Sequence, residues 1–186
     1  FPIHHVDAYR YFVGDGVETL MRRTLPRDAA ADGAILKRAM ELQRAEYAER
    51  WHAKTHPYPG VMELLTELEQ RAISMAILSN KPDKAVGEMV RYFFPDTPFS
   101  IARGARPGVP VKPDPGSAQQ LAAEMGIRSA DFLYVGDTNT DMRTALGAGM
   151  MPVGALWGFR TEQELRESGA ARLIARPGDL IALLTS

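Results

Sequence analysis

The chain contains no cysteine, which removes disulfides and thiol chemistry from consideration and fits a cytoplasmic setting. No apolar run approaches the roughly 20 residues that cross a bilayer, so nothing calls for a membrane. Charge of one sign is also lacking. The 22 basic and 23 acidic residues leave a net of -1, and nothing demands nucleic acid or an anionic surface as partner. The first residues, FPIHHVDAYR, lack the basic-then-apolar order of a signal peptide. They also begin without Met inside what reads as folded sequence, so a processed or truncated chain is expected. What is present is 186 residues, 45% apolar, enough for one ordinary domain or a domain with a small appendage.

Strand patterns are missing up to about Thr55. VETLMRRTL repeats apolar residues at helical spacing after the turn Gly14-Asp15-Gly16. ILKRAMELQRAEYAERW places Leu36, Met40, Tyr47 and Trp51 on one stripe, with Ile35 and Leu42 widening it. His56-Pro57-Tyr58-Pro59-Gly60 is a rigid connector that no helix continues through, and the domain boundary is placed there. The expected organisation is a helical unit over 1–56 and an α/β unit over 57–186.

After the connector, helix and strand alternate. VMELLTELEQR reads as a helix, SMAILS as a buried strand, and KPDKAVGEMVRYFF as a helix with Pro82 in its first turn. FSIA, FLYV, PVGAL and RLIA follow as strands, separated by the helices PGSAQQLAAEMG, TDMRTALGAG and TEQELRESG, and PGDLIALL closes as a helix. This order predicts an α/β fold, a Rossmann-like parallel sheet with helices on both faces.

Ligands of such sheets bind at the C-terminal ends of the strands. Three polar clusters fall there. Asp137 and Asp141, four apart after FLYV, are carboxylates of the kind that hold a hard cation such as Mg²⁺. Asp141 also suits a helix N-terminus as a plain dipole partner. Ser79 and Asn80 could cap the following helix or bind an anion at its N-terminus. Lys112 could neutralise phosphoryl oxygens, or be an ordinary solvated charge in a turn. The four histidines form no helical metal-ligand pair, since Pro57 follows His56 at once.

SN at one strand end, KP before a later helix and GDTNTD after FLYV resemble three of the four signature motifs of the haloacid-dehalogenase-like superfamily, in the family's order. VGDGVETLMRRTLP and THPYPGVMELLTEL look closest to its phosphoglycolate phosphatase subgroup. The resemblance implies a family core plus a small helical cap. It also implies a phosphatase acting on a small phosphorylated metabolite, 2-phosphoglycolate in the first instance. Ser79 would bond the phosphoryl group, Asn80 would orient it, and Lys112 would offset its charge. Asp137 would bind Mg²⁺, Asp141 would support the metal's water shell or Lys112, and Gly14, Asp15 and Gly16 of the cap would face the substrate.

The family's first motif, an apolar strand followed by DxDGT, is absent, and with it the aspartate nucleophile and the acid/base that would carry an aspartyl-phosphate step. The expectation is therefore an N-terminally incomplete cap and a core lacking its first strand, inactive as it stands. A missing central strand predicts that Leu133–Val135 and Ala76–Leu78 lie roughly 10 Å apart, whereas direct pairing would bring them to roughly 5 Å. Two other readings stand beside the phosphatase. One is a non-catalytic binding or assembly protein of the same fold, and the other is a further phosphatase or phosphomutase of the superfamily. The helical front could serve a homodimer as easily as a lid.

Overall fold

The structure is a computed structural model that describes residues 1–184. Its contacts divide the chain into two compact units, residues 1–56 and 57–186.

The first unit is all helical. A 3-10 turn, Val6–Ala8, leads into α1 (Tyr9–Phe12), α2 (Val17–Thr24), α3 (Arg27–Ala31) and α4 (Gly33–Arg50). The His4, Tyr9 and Phe12 rings meet edge-on at centroid distances of 5.1 to 6.3 Å, and His4 Nε2 lies 2.8 Å from the Thr24 carbonyl. Asp32 starts α4 by accepting from the Ala34 and Ile35 amides. Short side chains at Ala29 and Ala30 are buried where α3 packs on α2 and α4. The apolar stripe of α4 is narrower than its sequence suggests. Leu36 is buried, but Leu42 stands 54% exposed.

The second unit alternates as its sequence pattern requires. It runs α5 (Val61–Gln70), β1 (Met75–Pro82), α6 (Asp83–Phe93), β2 (Phe99–Ala105), α7 (Gly116–Met125), β3 (Leu133–Gly136), α8 (Asn139–Ala148), β4 (Met151–Ala155), α9 (Glu162–Glu167) and β5 (Arg172–Ile174). The closing helix spans Pro177–Leu183 and is of the 3-10 kind, with Pro177 in its first turn. All strand pairs are parallel, in two ladders, β1-β2 and β3-β4-β5. Helices cover both faces. Period-two alternation sends Leu133 towards Leu68, Val153, Ile174 and Leu180 on one side. The next residue, Tyr134, turns to the other side, where α7 and α8 present Ala118, Ala122, Ala145 and Ala148. Met75 joins the first of these cores and Leu78 packs on the second, so the same two helical layers enclose both ladders.

β1 and β3 are not hydrogen-bonded to each other. The direct pairing that would have ruled out a strand position between them is not found among the described residues.

Candidate active site

The C-terminal ends of β1 and β3 carry the polar residues of the site, and Lys112 joins them. Its ammonium donates to the Leu78 carbonyl at 3.0 Å and to Asp141 Oδ1 at 2.7 Å. The side chains of Lys112 and Asp141 are only 12% and 10% exposed, so this is a buried ion pair. Burial alone would lower the Lys112 pKa. The charge and hydrogen bond of Asp141, with Tyr134 adding to them, outweigh burial and hold it above the ordinary lysine value. The Tyr134 hydroxyl is buried and, among the described residues, meets no partner at hydrogen-bond geometry, while Lys112 Nζ stands 6.0 Å from its ring centroid. Burial pushes the Tyr134 phenol up to about 12 against the opposing charge of Lys112.

Asp141 does two jobs. As the third residue of α8 it closes a capping box: Thr138 donates to Oδ2 from its amide and its hydroxyl at 3.2 and 2.6 Å, and the Asp141 amide donates back to Thr138 Oγ1. Its other oxygen faces Lys112. The helix-terminus reading and the lysine-supporting reading therefore coexist in one carboxylate. The approach depends on Gly136, where an added Cβ would fall 2.2 Å from Asp141 Cβ.

Ser79 and Asn80 lie in β1 itself. The helix expected to open at Pro82 begins at Asp83 instead, with Pro82 as its N-cap and no side-chain cap. Neither residue is therefore a helix cap. Asn80 instead clasps the backbone of Lys112: Nδ2 donates to the Lys112 carbonyl and Oδ1 accepts from the Lys112 amide, both at 2.9 Å. This fixes the main chain that carries the ammonium. Ser79 Oγ accepts from the Lys81 amide at 3.1 Å and, with Asn80 and Lys112, lines a small cleft at the ends of β1 and β2.

Asp137 follows β3 directly. Its Oδ2 accepts from the Phe159 amide at 2.9 Å, and its carbonyl accepts from the Arg160 amide at 3.2 Å. Gly158 lets the loop close over the carboxylate, since a Cβ there would meet Asp137 Cβ at 2.1 Å. Burial raises the Asp137 pKa, the Phe159 amide opposes this, and the charge of Asp141 raises it further. A half-buried carboxylate held against its own ionisation is suited to a cationic partner. No three acidic or histidine side chains among the described residues gather as a ready-made metal cage. The donor set is thus one available carboxylate, with Asp141 committed to Lys112 and Thr138. This fits a largely hydrated Mg²⁺ and not an ion caged wholly by protein.

Gly14, Asp15 and Gly16 belong to the helical unit and form the turn between α1 and α2. Both glycines have positive φ, 115° and 90°, and Asp15 pairs with Arg23 at 2.6 Å.

Sequence reading missed three features: the Asn80 clasp, the Phe159 and Gly158 contacts to Asp137, and Tyr134. Each depends on residues far apart in sequence or on a buried face, so no local signal marks them.

A family profile described as haloacid dehalogenase-like hydrolase matches residues 5–155. The phosphoglycolate phosphatase of Pseudomonas putida KT2440 is 31% identical over 98% of this chain and 67% of its own length. That of Pseudomonas syringae pv. tomato is 28% identical over 93% of this chain and 64% of its own length. The chain thus spans about two thirds of the length of these relatives. A crystal structure of a phosphoglycolate phosphatase candidate from Lactobacillus delbrueckii superposes with a TM-score of 0.88 at 26% identity, covering 97% of this chain and 83% of that one. With a profile match over most of its length and a relative of this similarity, the chain belongs to the haloacid dehalogenase-like hydrolase family.

Proposed function

We propose that this chain is the larger part of a Mg²⁺-dependent phosphatase that hydrolyses a small phosphorylated metabolite, 2-phosphoglycolate in the first instance. The observation that carries the reading is the Lys112 ammonium, held between the Leu78 carbonyl and Asp141 at the strand ends, with Ser79 lining the same cleft and Asp137 within its electrostatic reach. Family membership supports the hydrolytic chemistry, and the named relatives motivate the substrate.

Lys112 holds a fixed positive charge where a phosphoryl group would sit and needs no reorganisation as charge builds on the equatorial oxygens. Asn80 keeps that charge in place through the backbone, and Asp141 keeps it protonated. The Ser79 hydroxyl donates to a phosphoryl oxygen. Asp137 would be the protein ligand of Mg²⁺, which when bound neutralises phosphoryl charge.

The nucleophilic carboxylate would come from outside residues 1–186, on a strand between β1 and β3. Its oxygen would attack phosphorus as the ester P–O bond breaks and the leaving alkoxide takes a proton. Water would then release phosphate from the acyl phosphate. The edges of β1 and β3 and the shared helical layers on both faces support a strand in that position. A cytoplasmic setting accords with the absence of cysteine.

The test is phosphate release from a panel of phosphorylated C2 and C3 acids by the full-length gene product. Turnover that needs Mg²⁺ and favours 2-phosphoglycolate is expected, with none from residues 1–186 alone. A full-length product inert towards every phosphomonoester would leave only the binding-protein reading.

A further inference from the structure

The cleft at the ends of β1 and β2 holds a second cation that the proposed chemistry leaves unused. Arg106 follows β2 and lines the same cleft as Ser79, Asn80, Val109 and Lys112. It is exposed, and among the described residues its side chain makes no hydrogen bond or ion pair. Its backbone, by contrast, is fixed. The Val109 amide donates to the Arg106 carbonyl at 3.2 Å across Pro107 and Gly108, and Gly108 sits at φ +75°. Pro then Gly with positive φ at the third position is the arrangement of a type II turn. At the other end of the segment, the two hydrogen bonds from Asn80 pin Lys112.

The stretch 106–112 is therefore anchored at both ends, with a guanidinium at one and the ammonium at the other. Between them Val109 and Val111, 37% and 40% exposed, give an apolar wall. A ligand matching this lining carries two anionic groups joined by a short carbon spacer. The buried Lys112, backed by Ser79, suits the phosphoryl end. Arg106 suits a carboxylate, whose two oxygens match the guanidinium fork in parallel hydrogen bonds. One guanidinium also balances the single charge of a carboxylate, whereas a second phosphoryl group would bring nearly twice that.

We propose that Arg106 recognises the carboxylate of a phosphorylated short-chain carboxylic acid while Lys112 and Ser79 hold its phosphoryl group. The proposal rests on the phosphatase reading of the cleft and adds a selectivity device to it. It makes Arg106 a specificity residue, with no part in the bond changes themselves.

The experiment is calorimetric binding of 2-phosphoglycolate, ethyl phosphate and inorganic phosphate to the full-length protein in Mg²⁺-free buffer, where the Mg²⁺-dependent turnover does not run. It compares wild type with Arg106→Gln and with Arg106→Lys, which keeps the charge but loses the fork. Wild type should bind 2-phosphoglycolate about tenfold or more tighter than ethyl phosphate, as a charge-assisted pair implies. Arg106→Gln should erase that preference and leave ethyl phosphate and inorganic phosphate within about twofold of wild type, with Arg106→Lys falling between. An Arg106→Gln protein that keeps the preference, or that weakens all three ligands alike, overturns the proposal. Wild type that binds phosphate with no preference for the carboxylate overturns it and leaves the phosphatase reading standing. Wild type that binds neither ester nor phosphate overturns both.

Discussion

Asp141→Asn isolates the buried charge pair with little other disturbance. The amide oxygen of Asn can still accept from Thr138 and keep the α8 cap, but its NH2 group would then face the Lys112 ammonium, donor against donor. Lys112 would retain the Leu78 carbonyl and the neighbouring Tyr134. With the pair 12% and 10% exposed, the loss belongs to the buried class, about 3–5 kcal/mol, and not to the surface class of under about 1 kcal/mol. For an m-value of about 2 kcal/mol per M, the urea midpoint should fall by about 2 M at pH 7. The pH dependence follows from the two lysine environments. In wild type the Lys112 pKa lies above its unfolded value, so its contribution is complete below about pH 10.4 and is lost as pH rises through the folded-state pKa. In the variant, burial, the largest influence on Lys112, is opposed by Tyr134 without the Asp141 charge and lowers the folded-state pKa. The unfolded chain then binds the extra proton, and the variant gains stability as pH rises towards about 10.4. The gap between the two proteins should narrow steadily from pH 7 to pH 10 in urea titrations followed by circular dichroism. A deficit below about 1 kcal/mol, or one independent of pH, would refute the reasoning.

Asn80→Ala removes both hydrogen bonds that clasp Lys112 and should cost about 1–3 kcal/mol in the same titration, with weaker phosphate binding. Unchanged stability would mean the clasp is not held in solution. Asp137→Asn should behave in the opposite way. Burial and then the charge of Asp141 hold the Asp137 pKa above its unfolded value, so its ionisation costs stability as pH rises past about 3.9. Without divalent cation the variant should melt at a higher temperature than wild type at pH 7, with the difference gone below about pH 3.9. Added Mg²⁺ should raise the wild-type melting temperature and leave the variant unmoved. An equal Mg²⁺ shift in both proteins would remove Asp137 from the metal site.

Much of this was legible in the chain because its carriers are local. The acid four residues beyond Asp137 is a short-range signal, and the structure turns it into a helix cap. β1 outran its pattern. It continues through Ser79 and Asn80 to Pro82 because an irregularity in register between Leu78 and Pro82 lets the proline sit at the end of the ladder. Pattern alone therefore assigned Pro82 to a helix one residue early and made Ser79 and Asn80 candidates for its cap. The split into two ladders was foreseen only through the missing first motif, since nothing in the local pattern of SMAILS or FLYV says which neighbour each strand takes. The Asn80 clasp joins residues 32 apart, and Phe159 reaches Asp137 across 22. Such contacts are made by the fold and leave no periodic trace.

The central claim is that the Lys112 ammonium is the fixed charge on which phosphoryl binding and transfer depend. Lys112→Met keeps the stem and removes the charge, so the direct measurement is kcat/KM for phosphate release from 2-phosphoglycolate by the full-length protein and this variant, with urea titration confirming that both are folded. A loss of about 10²–10³-fold is expected, the scale found when a preorganised charge-stabilising donor is removed. A folded Lys112→Met protein within about twofold of wild type would contradict the account.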